Sequence, residues 1–290
     1  MPDQFADLSD QIRQSAGMMT ISDAEFRSIR DLVYEHFGIH LTDQKRSLVV
    51  GRLQKHLREH GFNTFQQYYE YLKDDRTQVG LSELVDRIST NHTFFFRESD
   101  HFTFFREIVL PEIAKKHDQN RDIRIWCAAA SSGEEPYTIM MTMMDFFGMQ
   151  YAGWNAGLLA TDISEKALSA ARDGVYPEEK LEGVAPPLRQ KYFRRRPDGA
   201  YEVVEAMRKE VTFRRFNLMN ETLPFKRPFD VIFCRNVMIY FDQPTRTALV
   251  ERMFKATQPG GYLFIGHSES LGRGATSWQY IKPAVYRRAP

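Results

Sequence analysis

The stretch Cys127-Ala-Ala-Ala-Ser-Ser-Gly133-Glu-Glu135-Pro136-Tyr137 holds the residue types that let a backbone close on a ligand. Its side chains are small, and Gly133 leaves room for close approach. A β-branched segment, Ile123-Arg-Ile125-Trp126, runs into it and a helical pattern follows. Crevices at the carboxyl ends of strands in open α/β sheets are built this way. A second segment, Leu158-Leu-Ala-Thr-Asp162-Ile, ends in an acid placed to accept hydrogen bonds from ribose hydroxyls. A third, Phe229 to Phe241, is apolar up to a polar and aromatic tip that carries Asn236, Val237 and Tyr240. Three strand ends of this kind point to one crevice that takes a nucleotide-type molecule.

The dinucleotide fingerprint is absent. It needs three glycines, for the turn, the pyrophosphate approach and the helix packing, with an acid about 20 residues on. Gly133 stands alone, and Asp162 lies too far along. A ligand without a pyrophosphate has no need of those glycines, and S-adenosylmethionine (SAM) is the common adenosine ligand of that kind. Methyl transfer from its sulfonium depends chiefly on orientation and exclusion of water. A carboxylate acceptor, with a pKa of about 4.3 for glutamate, is already ionised at neutral pH and needs no general base. Arg97 is the first candidate for the catalytic site: it follows Phe94, Phe95 and Phe96, which are expected to wall off water, and its fork suits a carboxylate. A surface arginine after a core aromatic cluster is the plainer alternative. Tyr240 is either a hydrogen-bonding phenol at the crevice or a packed core tyrosine. Glu135 opens a helix, where a carboxylate suits the dipole in any case. Asp162 is compatible with an N-cap role for the helix beginning at Ser164.

The words Ser89-Thr-Asn91-His-Thr93-Phe-Phe-Phe-Arg97, Ala128-Ala-Ala-Ser-Ser-Gly-Glu-Glu135-Pro-Tyr137, Ala160-Thr-Asp162-Ile, Phe233-Cys-Arg-Asn236-Val-Met-Ile-Tyr240-Phe and Gly266-His267-Ser-Glu269 resemble the chemotaxis receptor methyltransferase family, CheR. The resemblance runs from about Ile21 to the end, in the family's order. It implies transfer of methyl from SAM to glutamate side chains of methyl-accepting chemotaxis receptors, giving glutamate methyl esters and S-adenosylhomocysteine (SAH). It also implies catalytic roles for Arg97 and Tyr240. Asn91 and Thr93 would contact or support the SAM methionine portion, Arg97 would lie near both SAM and the incoming glutamate, Glu135 would be a ligand to SAM, Asp162 would lie at the ribose, Asn217 and Leu218 at the adenine, and Asn236 with the backbone of Val237 where the adenosyl and methionine parts meet. His267 and Glu269 are expected to line the crevice.

The elements that must position these groups follow from the pattern. Helical periodicity begins at Ser22 or Asp23, with Phe26, Ile29, Leu32 and Val33 on one stripe, and recurs over Asp43–His60, Thr64–Lys73, Leu81–Ile88 and Asp100–His117. Strands and helices then alternate over 123–129, 136–147, 158–163, 164–172, 229–237, 243–257 and 261–267, which implies a parallel sheet with right-handed crossovers. The paired prolines Pro186 and Pro187 and the turn Pro197-Asp-Gly199 break that rhythm and suggest a small antiparallel insertion. Trp278 to Arg288 reads as a last hairpin. The fold class expected is therefore α/β: a Rossmann-like SAM-dependent methyltransferase domain with a small antiparallel β insertion, preceded by a small all-helical N-terminal domain. Its parts are a loose lead-in at 1–20, helices at 21–88, a connector contributing to the active site at 89–98, and the methyltransferase domain at 99–290 with its insertion at 175–212.

Composition narrows the function classes. The 290 residues are 42% hydrophobic and 27% charged with a formal net charge of +1, so attraction to an acidic partner has to be local. The two cysteines, Cys127 and Cys234, fall on expected core strands without metal or disulfide spacing, which fits a reducing compartment. No histidine among His92, His101, His117 and His267 shows metal spacing, and the Met140-Met-Thr-Met-Met144 run reads as core filler. No metal is expected. Neither a basic-apolar leader nor an 18-residue apolar run is present, so the protein is expected in the cytoplasm without membrane insertion.

Lys45, Arg52, Lys55 and His56 fall within an arc of about 100° on the helix from Asp43 to His60. Such a run is usually a solvated face. The resemblance makes it a docking surface for acidic cytoplasmic receptor helices. Some members tether to a receptor's C-terminal pentapeptide by strand addition to the small sheet; the turn between Phe193 and Tyr201 is short here, so no pentapeptide tether is expected. Rival readings are a SAM- or SAH-sensing module without catalysis, and a methyltransferase acting on RNA or a small molecule. Near-neutral charge and the lack of interleaved exposed aromatics disfavour a nucleic-acid partner.

Overall fold

The computed structural model describes residues 19–89, 91–272 and 276–290. The lead-in expected at 1–20 falls almost wholly outside the described residues. The chain divides after Thr90 into two compact units.

The first unit is helical. Helix α1 (Asp23–Phe37) begins at a reciprocal cap: the Ser22 hydroxyl accepts from Glu25 N, and the Glu25 carboxylate accepts from Ser22 N. Such a cap contributes about 1 kcal/mol. Phe26, Ile29, Leu32 and Val33 are buried as the periodicity requires, and left-handed Gly38 ends the helix. Helices α2 (Arg46–Glu59), α3 (Phe65–Asp74) and α4 (Val79–Ile88) complete the unit. Three expectations for the basic arc change. Lys45 lies in a 3₁₀ turn, Asp43–Lys45, ahead of α2. His56 is 1% exposed and belongs to the buried stripe with Val49, Leu53 and Leu57, because its phase is that of the apolar residues. Arg52 donates from Nη1 to the carbonyls of Ile88 (2.6 Å) and Ser89 (3.1 Å), satisfying the carboxyl end of α4. Lys55 is exposed and pairs loosely with Glu59 at 3.7 Å.

The second unit opens with α5 (Asp100–Phe104), a π-helical turn (Phe105–Val109) and α6 (Leu110–Lys116). One uninterrupted helix was expected over this span. Pro111 lacks the N–H that would continue the ladder, and Leu110 N reaches back five residues to Phe105 O. The α/β body follows: β1 (Ile125–Cys127), α7 (Glu134–Phe147), β2 (Leu158–Asp162), α8 (Glu165–Asp173), the insertion, β6 (Val211–Arg215), β7 (Phe229–Phe233), α11 (Gln243–Ala256), β8 (Thr257–Phe264), β9 (Gln279–Lys282) and β10 (Val285–Arg287). Within the insertion lie β3 (Val175–Tyr176), α9 (Pro186–Tyr192), β4 (Phe193–Arg195), β5 (Tyr201–Val203) and α10 (Glu205–Arg208).

Among the described residues the main sheet has the order β6-β2-β1-β7-β8-β10-β9. Pairing is parallel from β6 to β8, while β10 and β9 close the edge as an antiparallel hairpin. Every residue of β1 and β7 is buried, as in central strands covered on both faces. The chain leaves β1 toward β2 and returns on its other side as β7, so the switch in strand order lies between β1 and β7. The rings of Phe233 and Phe264 stack at 4.6 Å beneath it. The insertion is antiparallel as expected, in the order β3-β5-β4, but it ends before Val211 because β6 pairs with β2. Strand β7 stops at Phe233, short of the expected 237, and Asn236 takes φ +57°, outside extended geometry. Among the described residues, no helix is long and apolar enough to cross a membrane.

The join between α6 and β7 rests on buried Asp230. It accepts from His117 Nε2 at 2.7 Å and from Arg124 N at 3.0 Å, with Lys116 Nζ 3.7 Å away. Asp230→Ala orphans both donors and is expected to lower unfolding free energy by about 2–4 kcal/mol. Urea titration checks this; a loss under about 0.5 kcal/mol would show that the cluster is mere decoration.

Candidate active site

The crevice begins where β1 ends. Ala128 N bonds Phe233 O and Ala130 N bonds Thr161 O, so the loop after β1 is tied to both flanking strands. Ser131 has φ +47° and Gly133 φ +98°; a Cβ at Gly133 would meet the Tyr176 hydroxyl at 2.7 Å and Ala171 at 3.0 Å. Only glycine suits that position. The Asp162 carboxylate accepts from Ser131 N (2.8 Å) and Ser164 N (2.9 Å), fastening the loop after β1 to the end of β2. The cap of α8 is Ser164 itself, whose hydroxyl accepts from Ala167 N, so Asp162 is relieved of that role. Ser131 Oγ is buried with no hydrogen-bond partner among the described residues. An orphaned hydroxyl in a loop of small residues, beside an acid at the next strand end, suits a polar adenosyl ligand.

Arg235 and Glu98, which organise the far side together with Glu135, were not singled out from sequence. Arg235 follows β7, is 3% exposed, and donates from Nη1 to Glu135 at 2.6 Å and from Nη2 to Glu98 at 3.0 Å. The same Nη2 also donates to Arg97 O, and the guanidinium lies over the Phe102 ring. Glu98 further accepts from Asn236 Nδ2 (3.1 Å) and His267 N (3.1 Å). Burial by itself would raise the Glu98 pKa, but the bond from Asn236 and the Arg235 charge outweigh it and hold the carboxyl below its ordinary range. At Glu135 burial wins: its pKa is raised despite the opposing Arg235 charge. Cys127 Sγ lies 3.5 Å from Glu135, and burial together with that carboxylate pushes the thiol well up. Glu269, buried, accepts from the backbone N–H groups of Asn236, Gly266 and Ile239, joining the loops after β7 and β8. The signal was present in the word Phe233-Cys-Arg-Asn236, where a charge interrupts a buried strand end.

Arg97 is half-buried, donates to His92 O at 2.8 Å and lies over the Phe94 ring, and its charge is felt at Glu135. The three phenylalanines before it diverge. Phe95 enters the core against Tyr176 and Phe193, Phe96 packs on Phe102, and Phe94 stays exposed beside Arg97. A wall of three rings is therefore reduced to one. Thr93 is buried and its carbonyl accepts from Lys180 Nζ, which also reaches Glu134; neither of these charged residues was anticipated. Asn91 is exposed. Asn217 follows β6, and Phe216 N bonds Asp162 O, so Asn217 lies at the same sheet end as Asp162. The Asn217 side chain accepts from Met219 N, and Leu218, buried, offers its carbonyl to Arg252. Val237 and half-buried Tyr240 form a 3₁₀ turn over Met238–Tyr240. Arg97, Glu135 and Asn236 thus gather around Arg235 and Glu98, Asp162 and Asn217 share the neighbouring strand ends, and Lys45, Arg52 and Lys55 belong to the other unit.

Fold and crevice define a SAM-dependent methyltransferase. A model of the CheR methyltransferase SAM binding domain matches residues 91–286, and one of the CheR methyltransferase all-alpha domain matches 24–89. The chain belongs to the CheR methyltransferase family. It is 42% identical over 272 residues to the chemotaxis protein methyltransferase of Borreliella burgdorferi, covering 93% of this chain and 96% of the relative. Identity to the enzyme of the same name from Escherichia coli is 38% over 262 residues, covering 89% and 88%. To that of Salmonella typhimurium it is 37% over 277 residues, covering 94% and 93%.

Arg235→Met leaves Glu98 and Glu135 without their shared cation. Loss of about 3 kcal/mol of stability and at least about tenfold weaker SAH binding are expected. Calorimetric titration with SAH at a temperature where the variant is folded tests the second; unchanged affinity would confine Arg235 to the scaffold.

Proposed function

We propose that this protein transfers methyl from SAM to glutamate side-chain carboxylates of methyl-accepting chemotaxis receptors, producing glutamate methyl esters and SAH. What carries the reading is the match of both units, in order, to one methyltransferase family whose curated relatives are chemotaxis protein methyltransferases. When bound, SAM supplies a methyl group on a positive sulfur. The acceptor oxygen forms the new bond, the electron pair of the broken carbon–sulfur bond stays on sulfur, and no proton moves. The protein's task is then positioning. Asn91, Thr93 and Glu135 hold the methionine portion, Asp162 the ribose, Asn217 and Leu218 the adenine, with Asn236 and Val237 between. Arg97 presents a planar cation that orients the incoming carboxylate, and Tyr240 donates to it. The reaction takes place on the cytoplasmic side.

The test is incubation with labelled SAM and receptor-bearing membranes, followed by mild base. Label released as volatile methanol is expected; base-stable label would point to a nitrogen acceptor and overturn the reading. Arg97→Ala is expected to lower single-turnover rate about 10²-fold or more while SAH affinity changes little. A near-normal rate would remove Arg97 from the catalytic role.

Receptor docking is assigned to the basic residues before and on α2. Arg52 is committed to the end of α4, so Lys45 and Lys55 carry this proposal. Docking is proposed to proceed without a C-terminal pentapeptide tether. The turn after β4 is closed tightly by Arg196 N to Ala200 O, although β4 keeps one open edge. Reversing charge at Lys45 and Lys55 is expected to raise the KM for receptor several-fold and flatten its salt dependence, leaving SAM affinity unchanged. An unaltered salt series, or micromolar binding of the free pentapeptide, would transfer docking to the insertion.

A further inference from the structure

Methyl transfer makes no use of a histidine cluster in the first unit. His56 and His60 stand one helical turn apart at the carboxyl end of α2, and Glu83 comes from α4. A ring nitrogen from each histidine and a carboxylate oxygen from Glu83 lie within 4.8 Å of one another. His56 Nε2 is 3.5 Å from Glu83 Oε2. His60 Nδ1 is 2.9 Å from the carbonyl of His56. With the proton on Nδ1, that contact fixes the ring and leaves Nε2 as the lone-pair donor, which is how the outer shell of a metal site orients its histidines. His56 is 1% exposed, wedged against the His60 ring at 4.1 Å and the edge of Tyr68 at 5.5 Å. Its Nδ1 and the Tyr68 hydroxyl are buried without hydrogen-bond partners among the described residues.

We propose that His56, His60 and Glu83 form a site for a divalent transition-metal ion, best matched by zinc, that clips α2 to α4. Two imidazoles and a carboxylate are a familiar zinc donor set, with a fourth position left to water. Zinc–ligand bonds of about 2.0–2.1 Å require the donors to close by roughly an ångström, and the Glu83 side chain, 42% exposed, has room to move inward. Of the charges around His56, Arg87 opposes a cation most strongly and His60 adds to that, while Glu83 and Glu59 favour one. A similar trio, Glu98, His101 and His267, carries no such proposal, because Glu98 already serves Arg235 and Asn236.

The full chain, stripped with chelator, is titrated with zinc by calorimetry, titrated with cobalt by visible absorption, and melted at increasing zinc. One ion of micromolar or tighter affinity, the intense visible bands of low-symmetry cobalt and a melting temperature that climbs with zinc are expected. His60→Ala and Glu83→Gln, both at accessible positions, are each expected to weaken zinc at least about tenfold and abolish the thermal shift. His267→Ala is expected to leave both intact. Zinc no tighter than millimolar, affinity unchanged in His60→Ala and Glu83→Gln, or affinity lost in His267→Ala would each overturn the assignment.

Discussion

A guanidinium taken out of water must find carboxylates within reach, and the loops of this active site are arranged around one that has. Arg235 bonds Glu135 on α7 and Glu98 in the segment after Thr90, and it also holds the carbonyl of Arg97. Two pieces of chain, one at Arg97 and Glu98 and one at Glu135, each about a hundred residues or more from Arg235 in sequence, are thereby fixed to the end of β7. A buried ion pair of this kind adds little net stability compared with apolar packing, but loss of one member leaves an uncompensated charge. Its value is positional. Arg97 and Asn236 are neighbours of Arg235 or of its partner Glu98, so their directions follow from where that cation settles.

The backbone around this cation is bent in a consistent way. Phe96, Glu98, Ser131 and Asn236 all have positive φ without being glycine, and all four lie in the loops that form the crevice. Left-handed conformations cost of order 1 kcal/mol or more for such residues and persist only where the surroundings impose them. Here the impositions are visible. Asp162 receives Ser131 N, Glu269 receives Asn236 N, and Gly266 is compelled to lack a side chain because a Cβ would strike the Asn236 amide at 2.3 Å.

Much of this was legible in the residues. Small side chains after β1, an acid ending β2 and a polar tip after β7 are local patterns, and each lies at the sheet end where the pattern placed it. Arg235 escaped notice because its meaning is non-local: a charge beside Cys234 acquires a role only when Glu98 and Glu135 are brought to it by folding. His56 is a different case. Its phase, seven residues from Val49 and three from Leu53, already belonged to the buried stripe, and the basic neighbours distracted from it. The π-helical turn in the segment after Asp100 was hidden for a third reason, since a proline near a helix start is ordinarily harmless. Phe94, Phe95 and Phe96 read alike as letters, yet Phe94 is exposed, Phe95 is buried, and Phe96 takes a left-handed backbone.

Cys127, fully buried, is the last residue of β1, the strand from whose end the crevice begins. A thiolate is a stronger nucleophile toward a sulfonium methyl than a carboxylate is. Burial and the adjoining Glu135 keep the sulfur protonated. The carboxylate that neutralises Arg235 thus has a second effect: it adds to burial in disfavouring a thiolate at the end of the first strand.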